Sequence, residues 1–228
     1  MGLLSLLSAI TLGDEANNLY RDGRFKEAFA IYDSLVSSGV RNPYLYYNLA
    51  NTYYRLGKRG YALLYYLKAF YYIPYDEDLS HNIKLLTGEE APKNPLWRFV
   101  KEILYSLNIR QWLLVFFVLF SSFSLTVSYF ILKRQEVFLW VSITLLATSS
   151  IPLFFSLYWM KVLNSHQAVV IETTEARSGP GENFQKIMEF NEATPCRILR
   201  KEGRWVLITK GGGIGGWVKA DYIRDVTP

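Results

Sequence analysis

Three periods of apolar and polar residues divide this chain. The middle has no polar face at all: Trp112–Leu132 and Val137–Met160 carry no charged residue. As a helix the first run is about 31 Å long at about 1.5 Å per residue, the thickness of a bilayer core. Only Lys133, Arg134, Gln135 and Glu136 separate the runs, so two antiparallel neighbouring helices are expected. The segments before and after such a hairpin lie on one side of a membrane. Two buried helices of a soluble bundle are the competing reading, but a buried helix usually keeps a polar stripe. Pro152 in the second run is easier to place in lipid, where neighbours and Ser/Thr re-satisfy the freed carbonyl. Trp112, Trp140, Tyr158 and Trp159 lie near the ends, as interfacial aromatics do.

Upstream, apolar residues recur at helical spacing and the chain repeats itself. Ala16 and Ala50, Gly23 and Gly57, Ala28 and Ala62, and Tyr32 and Tyr66 all stand 34 residues apart. That period resembles the tetratricopeptide repeat, a helix–turn–helix unit. Gly23 and Gly57 suit the tight turns, the alanines let helices approach, and the tyrosines fill the space between repeats. Pro43 and Pro74 stand at the breaks before new helices. Tyr44–Leu56 and Arg59–Ile73 are the expected helices of the second repeat, and Asp76–Leu86 reads as a capping helix ending before Gly88. Five such helices over residues 14–88 form a minimal solenoid with a groove for extended peptide.

In repeats of this kind the first helix of each pair lines the groove. Asn17, Tyr20 and Arg21 recur as Asn51, Tyr54 and Arg55. Their amide and guanidinium donors suit a peptide carboxylate, and the set resembles part of the carboxylate clamp of chaperone-binding tetratricopeptide proteins. The basic third repeat of that clamp is missing; His81 and Asn82 stand nearby instead. The plain alternative makes all six solvated polar positions. Residues 1–13 read either as an export signal, ending near Thr11-Leu12-Gly13, or as the first helix of the repeat domain. A polar stretch, Thr87–Pro95, leads into the segment 89–111, where Leu96–Leu107 is amphipathic enough to lie in a membrane surface. Packing under the repeat domain is its other reading.

After Lys161 the period becomes two. Ala168–Ile171, Ile187–Phe190, Cys196–Leu199, Trp205–Thr209 and Ile214–Val218 read as short strands. Ala176–Pro180 reads as a turn cluster, Gly211-Gly212-Gly213 as a tight hairpin, and Tyr222-Ile223 closes the module. Short, evenly spaced strands argue for a small barrel. The segments AVV, EARSGPG, FNEAT, CRIL, GRWVLI and GGWV resemble the bacterial SH3 (SH3b) domain, with Asn191–Thr194 replacing the usual glycine-containing turn. Trp205, Trp217 and Tyr222 are its candidate surface aromatics, with barrel core as the plainer role for the two tryptophans.

The expected fold is thus a multidomain membrane protein: an all-α tetratricopeptide solenoid, a transmembrane helical hairpin (112–132 and 137–160) and a small all-β SH3-like barrel (165–228). The 228 residues carry a net charge of +5. Lysines and arginines flanking the hairpin explain it, and no basic helix or stacking platform points to nucleic acid. One cysteine, Cys196, excludes an internal disulfide, and His81 and His166 lack metal-ligand spacing. No catalytic, cofactor or metal constellation is expected. Gly211–Gly216 lacks the Lys-Ser/Thr of a P-loop.

The order of segments resembles the BatE family of bacterial aerotolerance (Bat) operons. Tyr46–Gly57, Asp76–Leu86 with His81-Asn82, Ser106–Trp112 and the SH3b-like module carry the likeness. It implies a non-enzymatic membrane scaffold working with von Willebrand A-type membrane proteins and a MoxR-type ATPase. A peptidoglycan binder that recruits a hydrolase is the second expectation. Lys133 and Arg134 in the hairpin turn favour exported domains in a bacterial inner membrane. Lys93, Arg98, Lys101, Arg110 and Lys161 on the other side favour the reverse by count. Exported domains are the expectation, given the apolar N-terminus and the usual setting of SH3b domains.

Overall fold

A computed structural model describes residues 3–88, 95–165 and 168–226. The chain divides into two units: Met1–Ala91 with Ser165–Pro228, and Pro92–Asn164.

The first unit opens with five helices, α1 (Leu3–Arg21), α2 (Phe25–Ser37), α3 (Pro43–Arg55), α4 (Arg59–Phe70) and α5 (Glu77–Thr87). α1 runs unbroken across the expected boundary at residue 13. Gly23 and Gly57 both take the left-handed conformation, φ +76° and +77°, at the equivalent turns after α1 and α3. Asn42 caps α3, accepting from Tyr44 N–H at 2.8 Å, and Pro43 supplies the first helical position. Asp76 caps α5 through Leu79 N–H at 2.8 Å, and left-handed Gly88 ends it. α4 stops at Phe70, short of the expected Ile73. Each helix packs on the next, and Ala16, Ala28, Ala50 and Ala62 are fully buried between them.

The same unit holds seven strands: β1 (Ala168–Val170), β2 (Thr174–Arg177), β3 (Lys186–Phe190), β4 (Thr194–Glu202), β5 (Trp205–Gly211), β6 (Ile214–Lys219) and β7 (Ile223–Asp225). They form one sheet in the order β3-β2-β6-β5-β4-β1-β7, and every pairing is antiparallel. Ala168, Val170, Ala176, Phe190, Cys196, Val206, Ile208, Val218 and Ile223 share one core, so all seven strands curl around it. The hydrogen-bonded order stays open between β3 and β7. Ala176 and Arg177, expected in a turn, are strand residues. Ala176 pairs with Met188 and Arg177 with Trp217, and the turn starts only at Ser178. Gly212 and Gly213, φ +62° and +79°, make the two-residue β5–β6 turn, where both central residues need positive φ.

The sheet is docked on the helices. Ala168 and Val170 face the sheet core, while Val169 between them joins the helical core. This explains three successive buried residues in β1: the strand is covered on both faces. Ala193, at φ +59°, is buried in the same helical cluster. Gly60 in the first turn of α4 receives the β-module. A Cβ there would lie 2.5 Å from Ile171 Cα and O. Its N–H donates to Glu192 Oε1 at 2.8 Å, so a carboxylate of the sheet satisfies an orphan donor at a helix N-terminus.

The second unit contains α6 (Pro95–Tyr105), α7 (Ile109–Lys133) and α8 (Glu136–Ser165). Both apolar helices exceed their expected lengths. Asn108 and Gln111 form a capping box that starts α7 three residues before Trp112. Arg134, left-handed at φ +53°, ends it, leaving only Arg134-Gln135 outside the helices. α8 contains Pro152 and runs on past Met160. Buried Ser142, Ser149 and Ser156 recur every seven residues on α8, and partly buried Phe116, Phe123 and Phe130 do so on α7. A spacing of seven keeps each set on one face of its helix. Ser142 and Thr126 hydroxyls meet between the two helices at 2.9 Å. The indole N–H groups of Trp112 and Trp159 both donate to Leu104 O, each at 3.0 Å. One carbonyl in the last turn of α6 therefore ties α6 to both long helices.

Candidate functional site

The six repeat-domain candidates do not behave alike. Asn17 and Asn51, half-buried, turn their amide oxygens inward. Tyr32 Oη donates to Asn17 Oδ1 at 2.6 Å, and Asn48 Nδ2 donates to the same oxygen at 2.9 Å. The arrangement recurs 34 residues on: Tyr66 Oη donates to Asn51 Oδ1 at 2.6 Å, and Asn82 Nδ2 at 3.4 Å. Each asparagine thus joins the following helix to the one beyond it. Burial pushes the Tyr32 hydroxyl up to about 12 and raises Tyr66 as well.

Beside this network a cavity of about 220 Å³ is lined by Asn17, Tyr20, Arg21, Tyr32, Asn48 and Asn51. Four of the six candidates line it; Tyr54 and Arg55 do not. Arg55 Nε instead donates to Tyr20 Oη at 3.4 Å and its guanidinium lies 5.9 Å from the Phe25 ring. Tyr54 is exposed. Sequence reading missed Asn48 as a wall residue, although Asn48 and Asn82 also stand 34 residues apart. His81 is exposed and outside the cavity.

In the β-module the strand period separates the tryptophans from the core. Val206 and Ile208 of β5 and Val218 of β6 point inward, so Trp205, Leu207 and Trp217 occupy the other face. Trp205 is therefore off the core face, while Trp217 on the same face is nonetheless buried, as its plainer role expects. Trp217, paired across the ladder with Leu207, is still only 8% exposed; Trp205 and Tyr222 are half-exposed. Lys219 lies opposite Trp205 with its ammonium 6.0 Å from the ring, and bonds Glu182 at 2.7 Å. Arg177 donates to the carbonyls of Glu182 and Phe184, which braces the β2–β3 loop beside this face. Cys196 is buried, and its thiol is pushed up to about 12 by desolvation.

A second cavity, about 790 Å³, lies between the docked modules. Its wall includes Arg59 and Leu86 from the helices and Glu192, Thr194, Arg197 and Lys210 from the sheet.

Against known families, residues 172–225 match the family model described as the bacterial SH3 domain. The C-terminal module is similar to bacterial SH3 domains over these residues. The match begins after β1, so the strand that packs against the helices precedes it. No curated protein and no solved structure matches the chain.

Proposed function

We propose that this chain is a membrane-anchored protein-interaction scaffold. The observation that carries the proposal is the pairing of two docked modules with one apolar hairpin. α7 and α8 are long and apolar enough to cross a membrane, and 0% and 17% of their most apolar windows are buried. Exposed Leu114, Phe117, Leu125, Trp140 and Phe154 need an apolar surrounding that water does not supply. A two-span hairpin returns the chain to its starting side, which the docking of α4 on β1 requires. α6, with Leu96 and Phe99 exposed, suits the headgroup layer.

In this reading the five N-terminal helices are two tetratricopeptide repeats and a cap. Their 34-residue period, positive-φ turn glycines and duplicated Asn–Tyr–Asn network support it. The groove around Asn17, Tyr20, Arg21 and Asn51 receives a partner peptide, and the accessible part of the SH3 face, Trp205 and Tyr222, contacts a second partner. The likeness to BatE makes von Willebrand A-type membrane proteins and a MoxR-type ATPase the first partners to test. The SH3 domain also supports the alternative of peptidoglycan binding. Both modules are placed outside the cytoplasmic membrane, as SH3b domains typically are. The role is binding rather than catalysis.

Co-sedimentation of the full chain in detergent with purified sacculi separates the two readings. A scaffold stays in the supernatant, while a wall binder pellets and loses that property on Trp205→Ala. Sidedness is read in a Cys196→Ser background with Lys201→Cys on the exposed β4 surface, because the native thiol is buried. Labelling by an impermeant maleimide before lysis supports exported modules; labelling only after lysis overturns that placement and the wall alternative together.

A further inference from the structure

The cavity between the modules belongs to neither the repeat groove nor the SH3 aromatic face. Its volume, about 790 Å³, is in the range of ligand-binding clefts. Arg59 of α4, Arg197 of β4 and Lys210 of β5 line it, and all three are exposed. Among the described residues none of the three pairs with a carboxylate. Among the described residues Glu192 is the lone acid of the wall, and it already accepts the Gly60 N–H. The cleft therefore holds an excess of positive charge in a concave, partly apolar setting with Leu86, Ala193 and Pro195. Such a setting strengthens attraction for an anion relative to a flat surface.

We propose that this cleft binds an acidic, extended peptide through Arg59, Arg197 and Lys210. The cations come from both modules, so the ligand has to present anionic groups at more than one place. A run of Asp or Glu does this and a single inorganic anion does not. Two of the three cations are guanidinium forks, which match carboxylates with paired hydrogen bonds. The site exists only while the modules are docked through Gly60, Glu192 and Val169. It stands independently of the proposed groove around Asn17.

The test is fluorescence anisotropy of a fluorescein-labelled hexaglutamate peptide with the full chain in detergent, using hexalysine as the control. Saturable binding is expected for hexaglutamate alone. Arg197→Glu with Lys210→Glu should weaken it by about tenfold or more, and Gly60→Val should abolish it by separating the modules. Arg197→Gln with Lys210→Gln, checked for an unchanged melting temperature, covers a misfolded charge reversal and should still weaken binding. Unchanged affinity in both double variants overturns the proposal. So does displacement by equimolar inorganic phosphate, which would mark a general anion site. Loss of binding only in Arg21→Glu would assign the peptide to the repeat groove and also overturn it.

Discussion

The N-terminal helices and the α7–α8 hairpin are both helical, yet they bury different mixtures of side chain: the hairpin hides serines beside Trp112, Phe155 and Trp159. In α1–α5 the interior is mainly Ala, Leu and Tyr, with Thr52 the polar side chain fully buried among them. Where a tyrosine hydroxyl goes inside, an asparagine oxygen meets it. In the hairpin the interior seam carries Ser142, Ser149 and Ser156, while Leu125, Leu132 and Phe154 stand outside. Helix content alone is silent about this difference; the proposed placement of the hairpin in a membrane accounts for it. Water rewards hiding apolar area. Lipid does not, so close packing of small residues and hydrogen bonds between hydroxyls decide what goes inside.

The contrast can be broken most severely at Leu125, 72% exposed on α7. Leu125→Arg should disfavour insertion by about 3 kcal/mol if that face meets lipid. Leu85→Arg on α5, 55% exposed, should change stability by less than about 0.5 kcal/mol. A membrane-insertion assay and thermal unfolding compare the two. Equal, small effects would mean the hairpin face is not in lipid.

Next in size is the docking of the modules. Gly60→Ala places a Cβ against the Ile171 backbone, and overpacking of this kind costs about 1–3 kcal/mol. Limited proteolysis should then cut faster within β1, Ala168–Val170, which the docked helices cover. Asn51→Leu leaves the Tyr66 hydroxyl without its acceptor and should destabilise the helical region by about 1–3 kcal/mol. Chemical denaturation followed by tyrosine fluorescence measures it.

Alkaline pH sharpens the same comparison. Tyr32 has its pKa raised to about 12 by burial, against about 10 when unfolded. The unfolded chain loses that proton first. Stability is therefore intact below pH about 10 and falls as pH rises toward about 12. Tyr46, Tyr47 and Tyr65 are shifted the same way. Absorbance of tyrosinate should appear late and together with loss of helicity in α1–α5. The smallest effect is expected at Trp112→Phe, which removes one of two donors to Leu104 O and should cost about 1 kcal/mol.

Much of this architecture is readable from residue spacing. The period of 34 located the turns at Gly23 and Gly57, and the uncharged runs located α7 and α8 to within a few residues. What escaped were features made by partners distant in sequence. Asn17 and Tyr32 stood out separately, one as a groove donor and one as filler, because spacing does not say that a hydroxyl and an amide meet. β2 escaped because Ala176-Arg177 runs directly into Ser-Gly-Pro, and only its pairing with β3 and Trp217 makes it a strand. Gly60 looks like a poor helix residue until Ile171 is placed against it. The Trp205 and Trp217 face was legible in the strand alternation itself, since Val206, Ile208 and Val218 are their inward neighbours.

The two indoles on Leu104 O have a mechanical consequence. The oxygen sits on the segment through which any pull on the N-terminal side of α6 must travel. Because Trp112 opens α7 and Trp159 lies near the end of α8, tension arriving at that oxygen is divided between the two long helices at once. α7 is not peeled away first while α8 stays behind. The hairpin then answers such a pull as one body.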